Sequence, residues 1–416
     1  MIKKLTSDII IYGGTNALKS LVPFLMLPIL TIYISPNEYG ELALIETTIL
    51  FLLPFIMLNI NGAINVEFFH QENKSEYKQY VVNAIIISFL AFLLVSLLLY
   101  LFKNTISALI NIDLIFVEFL TVFTFLRVLT SVILVIFQAS RQVYSYASFS
   151  IFQTIVDFTI SYYLIAILQY GIKGRLIGIY GSFFIFSILA IYILYRMGYF
   201  KDKLTFRYTK EILSFGIPLI PHSIGGIILA MSDRYFISYY AGNSEVGLYT
   251  VAYQISAVLL LISMSINQAW SPMFFRLMKD NRHDYINKFI ISLCTVYMIS
   301  AISIYFLSPF IYDNFIDIKF HNSQIYFSFL LLGFLFQSLY FLFANYLFYY
   351  KKTALLGIIT FTGATINLIL NFILIKQHGV IGVAYATAIT WFLYFVSVTV
   401  IAKYLQGKMN ECAKQS

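Results

Sequence analysis

The sequence predicts an all-α integral membrane protein, with twelve transmembrane helices in two six-helix lobes related by a pseudo-two-fold axis along the membrane normal. Three observations predict it: an apolar composition, a one-sided distribution of basic residues, and motifs repeated at a nearly fixed offset. Charged residues make up 11% of the 416 and hydrophobic residues 60%, where a soluble chain carries about 25% charged residues. No soluble fold hides that much apolar surface, so the solvent is a bilayer. A hydrocarbon core of about 30 Å needs about 20 helical residues, and the apolar stretches place spans at 9–33, 42–65, 81–102, 114–138, 145–168, 176–195, 211–239, 247–270, 289–310, 323–348, 353–375 and 380–402. The start from Met1 to Lys4 resembles a signal-peptide n-region. Asp8, Asn16 and Lys19 follow it with no small-residue cleavage site, so the first span reads as retained.

The gaps between these spans set the orientation. Of 27 Lys and Arg residues, 19 fall in one alternate set of gaps, from Lys3 and Lys4 through Arg141 and the Arg196 to Lys210 segment to Lys408 and Lys414. Five fall in the other set (Lys103, Lys173, Arg175, Lys319 and Lys376), and Lys19, Arg127 and Arg234 lie inside spans. The positive-inside bias then places both termini in the cytoplasm. The net charge of +8 is scattered over turns rather than gathered on one face, which fits anionic lipid headgroups and not nucleic acid. Cys294 and Cys412 build neither a disulfide framework nor a metal site, and no cofactor is expected.

The chain reads as doubled. Ser35-Pro-Asn-Glu-Tyr-Gly40 is echoed by Gly242-Asn-Ser-Glu-Val-Gly247, and Tyr170-Gly-Ile-Lys-Gly174 by His378-Gly-Val-Ile-Gly382. The separations 247 − 40 = 207 and 382 − 174 = 208 agree to one residue, and Gly13 and Gly216 stand 203 apart. Six spans per half put both halves the same way up. The lobes are therefore 1–200 and 201–416, joined by a polar tether from Arg196 to Lys210.

Seven charged residues sit inside the spans or just within their edges: Lys19, Glu46, Glu118, Arg127, Asp157, Asp233 and Arg234. Each costs about 2.5–3.5 kcal/mol at mid-bilayer, so they should face a cavity or a partner. In span five, Ser150, Gln153, Thr154, Asp157 and Ser161 share one helix face, and in span four Thr124, Arg127, Thr130, Ser131 and Gln138 do the same. Span one aligns Asn16 with Lys19, and span eleven aligns Gly363, Asn367 and Asn371. Two readings stay open for such stripes: a water-filled lumen, or helices bridged by hydrogen bonds of about 1 kcal/mol. For Arg127 and Asp157 the alternative is a structural ion pair, for Lys19 a side chain snorkelling to the surface, and for Glu46 and Glu118 a reach to water at a span end. Asp233 and Arg234, as sequence neighbours, point about 100° apart on a helix and should draw partners from other helices. His222 reads as a hydrogen-bonded histidine before a titrating one, and Pro23, Pro28 and Pro54 as kinks before gates.

The chain has no phosphate-binding Gly-x-x-x-x-Gly-Lys-Ser/Thr loop, no paired-Cys metal site and no His-Glu-x-x-His helix, so the reading is not an enzyme and any driving force is a gradient. The run Met231 to Tyr253, with its Asp-Arg, Glu-Val-Gly-Leu-Tyr and Val-Ala-Tyr elements, resembles the signature of polysaccharide flippases at spans seven and eight. The resemblance continues through Asn267-Gln-Ala-Trp-Ser-Pro272, Glu38-Tyr-Gly40 and the Gly-x-x-Gly turns that open spans six and twelve. It is similar to the Wzx-type O-antigen flippases of the multidrug/oligosaccharidyl-lipid/polysaccharide exporter superfamily.

This resemblance implies a MATE-like bundle in the bacterial inner membrane that moves an undecaprenyl-pyrophosphate-linked repeat unit, in O-antigen, lipopolysaccharide or related polysaccharide biosynthesis, from the cytoplasmic to the periplasmic leaflet. It implies as partners a lipid-linked oligosaccharide, membrane lipids, a proton or sodium ion, and a polysaccharide polymerase with its chain-length regulator. Arg127 is the first candidate for a phosphate, since a guanidinium fork pairs two oxygens, with Arg234 and Lys19 after it; Asp157, Asp233 and Glu46 are candidates for the coupling ion. The balance of three cations against three carboxylates departs from the cationic lumen usual in such flippases. A multidrug or cation antiporter of the same superfamily, a membrane polysaccharide polymerase and a structural scaffold are the rival readings.

Overall fold

The structure, a computed structural model, describes residues 2–70, 73–201 and 206–415, with only the helical backbone described for 2–10, 17 and 408–415. Residues 202–205 of the tether, Lys203 among them, and the side chains of Lys3, Lys4, Asp8, Lys408, Cys412 and Lys414 lie outside the described residues. The described chain is helical throughout, and 12 helical segments are long and apolar enough to cross a membrane. This is a multi-pass membrane protein. It divides into two compact units, Met1–Ile227 and Ile228–Ser416.

In the first unit, α1 (Ile2–Tyr33) is followed by α2 (Pro36–Met57), whose start is written in the sequence. Ser35 Oγ accepts from Glu38 N at 3.3 Å while Ser35 N donates to Glu38 Oε2 at 2.9 Å, a capping box with Pro36 at the first helical position. Span two therefore begins at Pro36 rather than at 42. It also breaks, because Leu58 and Asn59 take φ of 50° and 52°, and α3 (Ile60–His70) resumes beyond them. Then come α4 (Lys74–Leu101), the short α5 (Lys103–Ile110), α6 (Leu114–Ala139), α7 (Val143–Tyr162), a π turn over Tyr163–Ile167, and α8 (Gly171–Arg196). Ile60, Val81, Val132, Ile133 and Ala190, all fully buried, hold the core of this unit.

After the tether, α9 (Thr209–Gly216) belongs to the first of the two compact units, which ends at Ile227. Thr209 Oγ1 donates to Asn83 Oδ1 at 3.3 Å, and Asn59 Nδ2 donates to Gly216 O at 3.2 Å. A Cβ at Gly216 would stand 1.9 Å from Leu58 O, so only glycine lets this end of α9 sit on the break in span two.

A 3-10 turn over Ile217–Leu219 leads to α10 (Ile220–Met231), and the second unit continues with α11 (Asp233–Ala241), α12 (Asn243–Ser256), α13 (Val258–Lys279), α14 (His283–Phe315), α15 (Gln324–Tyr349), α16 (Thr353–His378) and α17 (Val380–Gln415). Spans seven and eight are thus interrupted, at Ser232 and Ala257. Fully buried Tyr249, Leu330, Val383 and Ala384 lie in its core. Similar turns recur in the two units. Gly171 and Gly379, 379 − 171 = 208 apart, take φ of 56° and 67°, and Arg141 and Lys351, 351 − 141 = 210 apart, take 54° and 56°. The bonds Gln142 N→Phe137 O and Lys352 N→Leu347 O close the latter two turns alike, both at 2.8 Å.

Candidate functional site

The polar face predicted for span five opens onto a cavity of about 340 Å³ inside the first unit. Gln153, Thr154 and Asp157 of α7 line it, as do Arg127, Thr130 and Ser131 of α6, Lys19 and Pro23 of α1, and Arg175 and Ser182 of α8. Part of each stripe turns to this common hollow, while Thr124, Gln138, Ser150 and Ser161 do not line it.

Two ion pairs involve lining residues: Arg127 on the wall with Glu46 behind it, and Arg175 with Asp157, both on the wall. Arg127 Nη2 lies 2.6 Å from Glu46 Oε2 and donates to Tyr180 OH at 2.9 Å, while Tyr180 OH donates to Glu46 Oε1 at 2.5 Å. The closed three-membered network joins α2, α6 and α8. The Tyr180 ring stacks on Phe123 with centroids 3.8 Å apart and planes 8° apart, and the Arg127 guanidinium lies 5.3 Å from the Phe183 ring centre. In the second pair Arg175 Nη1 stands 2.6 Å from Asp157 Oδ1 and also donates to Ser161 Oγ at 2.6 Å; Ser161 Oγ donates to the same Asp157 oxygen at 3.0 Å. Glu46 thus lies within a helix, paired, and does not reach water at a span end.

Three donors at this site are unmatched among the described residues. Lys19 has no carboxylate within ion-pair distance among the described residues, and the buried Arg127 Nε and Gln153 Nε2 have no hydrogen-bond partner. A buried donor left unmatched costs about 1–3 kcal/mol, so the cavity is chemically suited to an anionic or acceptor-rich group.

The remaining candidates, Asp233 and Arg234, lie in the second unit and are each 4% exposed. They pair with each other, contrary to the expectation for helical neighbours. Arg234 Nη1 reaches Asp233 Oδ1 at 3.0 Å and Arg234 N donates to the same oxygen at 2.9 Å. The reason is the interruption at Ser232: Asp233 opens α11, where its carboxylate folds back to accept from the Arg234 backbone N–H. Other helices do contribute. Tyr249 of α12 donates to Asp233 Oδ2 at 2.7 Å, and the Arg234 guanidinium stands 4.5 Å from the Tyr253 ring centre. The span-eleven stripe meets the bridging description: Asn371 Nδ2 donates to Asn367 Oδ1 at 3.0 Å, and Asn367 Nδ2 to Thr390 Oγ1 at 3.3 Å.

The six candidates therefore fall into two clusters, one per unit: Lys19, Glu46, Arg127 and Asp157 around the cavity, and Asp233 with Arg234 in a packed pair. Two partners were missed in the sequence. Arg175, counted among outer-turn cations, lies inside α8 at 8% exposure on Asp157, and Tyr180 carries no charge to mark it. Glu118 does sit at a span end, half open to solvent and paired with Lys103. Among the described residues no group of three or more His, Cys, Asp or Glu side chains could hold a metal ion.

Comparisons with known proteins agree with this architecture. The chain is 25% identical over 415 residues to Lsg locus putative protein 1 of Haemophilus influenzae, covering 95% of this chain and 98% of that one. Its fold matches an inward-facing MATE family multidrug resistance transporter of the MOP superfamily, with a TM-score of 0.77 at 12% identity over 94% of this chain and 96% of the other. It matches the lipid II flippase MurJ in an inward closed conformation, with a TM-score of 0.72 at 17% identity over 96% and 87%. The polysaccharide biosynthesis protein family matches residues 5–278, two thirds of the sequence. The chain belongs to that family.

Proposed function

We propose that this protein is a flippase that moves an undecaprenyl-pyrophosphate-linked polysaccharide repeat unit, of the O-antigen kind, from the cytoplasmic to the periplasmic leaflet of a bacterial inner membrane, with both termini cytoplasmic. The observation that carries the reading is the set of unmatched donors at the first-unit cavity, Lys19, Arg127 Nε and Gln153 Nε2. A pyrophosphate and its first sugar supply acceptors for them. Arg127 and Lys19 contact the phosphates, and Arg234 becomes available to an anion only where its pair with Asp233 has opened. Glu46, Asp157 and Asp233 are the carboxylates for a coupling proton or sodium ion. An outward-moving anion also gains about 2.3 kcal/mol per charge per 100 mV, so coupling supplements a potential that already favours transport. The product would pass to a polysaccharide polymerase and its chain-length regulator.

The test is translocation of a fluorescent polyprenyl-pyrophosphate-linked oligosaccharide in proteoliposomes. Wild type moves it, and Arg127→Ala slows it about tenfold or more, the loss of one charged hydrogen bond being about 1.5–3 kcal/mol. Unchanged flipping in that variant removes Arg127 from the mechanism. The second reading, a multidrug or cation antiporter, is favoured by Asp157 on the cavity wall, by Glu46 paired with the lining residue Arg127, and by the fold shared with the MATE transporter. Efflux of cationic dyes without movement of the oligosaccharide would establish it instead.

A further inference from the structure

On its other face α7 lines a second, larger cleft. This cleft, about 860 Å³, runs between α7 and α8 and contains no acidic residue. The two helices are pinned together where Gly178 meets Ser161, with room for no Cβ, and they part toward the opposite end at Gln142 and Met197. Three rings form its floor, Phe149 standing edge-on to Phe186 at 5.0 Å and to Phe137 at 6.4 Å. Phe152, Val156, Ile185 and Leu189 continue the apolar wall.

Polarity changes along the cleft. At its open end Gln142, Ser145 and Ser148 line the wall, all exposed, and their side chains make no hydrogen bond among the described residues. Basic residues surround that end. Arg141 and Arg196, both exposed, are the chain neighbours of the lining residues Gln142 and Met197, and Lys78 Nζ donates to Met197 O at 2.7 Å. From Ser145 to Val156 the wall runs about 16 Å along the helix, roughly one leaflet of a hydrocarbon core about 30 Å thick.

We propose that this cleft binds an anionic membrane phospholipid. One acyl chain lies against Phe149, Phe186 and Leu189; the ester and phosphate oxygens take the hydroxyls of Ser145 and Ser148 and the amide of Gln142; and Arg141 and Arg196 face the headgroup charge. A zwitterionic lipid would fill the apolar part equally well but bring its own cation to the basic rim, so charge selects among lipids of the same length.

The experiment uses the full chain in detergent. Purified protein is delipidated, titrated with phosphatidylglycerol or phosphatidylcholine of identical acyl chains, and examined by native mass spectrometry for retained lipid and by its thermal unfolding midpoint. Phosphatidylglycerol is retained preferentially and raises the midpoint. Arg141→Gln and Arg196→Gln each weaken retention about fivefold, corresponding to about 1 kcal/mol per basic residue near the surface. Ser148→Trp, which fills the cleft from an exposed position, abolishes retention of both lipids. Equal retention of the two lipids by wild type, or arginine variants indistinguishable from it, overturns the proposal. So does displacement of phosphatidylglycerol by equimolar undecaprenyl phosphate, which would assign the cleft to the tail of a polyprenyl lipid.

Discussion

Gly178 of α8 lies against Ser161 of α7 so closely that a Cβ on the glycine would stand 2.0 Å from the Ser161 hydroxyl and 2.8 Å from its backbone nitrogen. That contact sets the distance between the two helices, and through it the bonds that Arg175 makes to Asp157 and Ser161. Helices brought this near by a small residue are a recurrent membrane solution, because apolar side chains gain nothing from leaving lipid.

Gly178→Ala should therefore destabilise the protein by about 3 kcal/mol, the upper end of overpacking, since the obstacle includes backbone and not only a movable hydroxyl. Gly181, three residues on, has no atom within 4 Å of an added Cβ. Gly181→Ala should leave stability unchanged or raise it by up to about 1 kcal/mol through helix propensity. Thermal unfolding of both variants in one detergent checks the contrast; equal midpoints would mean that the crossing tolerates expansion.

The network of Glu46, Arg127 and Tyr180 gives a graded series. Glu46→Gln leaves Arg127 without its counter-charge at a site only partly open, with side-chain exposures of 30% and 18%, so the loss should fall below the 3–5 kcal/mol of a fully buried pair, at about 2 kcal/mol. Tyr180→Phe keeps the ring on Phe123 and removes one hydroxyl, costing about 1 kcal/mol. In the double variant the two losses should fail to add, because the atoms share one network. Additive losses would show that the hydroxyl and the carboxylate act separately.

Much of this was legible from residue spacing. The polar edges of α6 and α7 follow from three- and four-residue intervals, which depend on helix geometry alone, so Arg127 falls on one face with Ser131, and Gln153 on one face with Asp157; that the two faces meet depends on packing, which spacing does not encode. Arg175 was not legible in this way, because a cation four residues after Gly171 reads as belonging to an outer turn. Only the start of α8 at Gly171, with φ of 56°, turns it back toward Asp157. The available signal was the buried aspartate itself, whose partner had to come from a helix beginning nearby. The pairing of Asp233 with Arg234 was hidden for another reason. A helical wheel assumes a continuous helix, and the break at Ser232 falls in a sequence with no proline or glycine to announce it.

The docking of α9 on the break in span two yields a third prediction. Gly216→Ala would put a methyl group 1.9 Å from Leu58 O, which neither backbone can accommodate without parting. Asn59 is held at φ of 52°, where Asn is tolerated and alanine costs about 1 kcal/mol more. Asn59→Ala also forfeits the bond to Gly216 O. Amide hydrogen exchange should show α9 losing protection in both variants while α6 and α7 keep theirs. Unchanged exchange in α9 would mean that the tether, and not this contact, holds it in place.

Three carboxylates should rank by burial when each is made an amide. Asp233→Asn leaves Arg234 charged, 4% exposed and deprived of its only ion-pair partner among the described residues, so it should cost about 3–5 kcal/mol. Asp157→Asn leaves Arg175 with Ser161 Oγ still accepting at 2.6 Å and should cost less. Glu118→Gln breaks a surface pair with Lys103 and should cost least of the three. Unfolding midpoints of the three variants read the order directly. An Asp233→Asn protein as stable as Glu118→Gln would show that Tyr249, Tyr253 and the backbone suffice to hold Arg234, and that its charge is accommodated without a carboxylate.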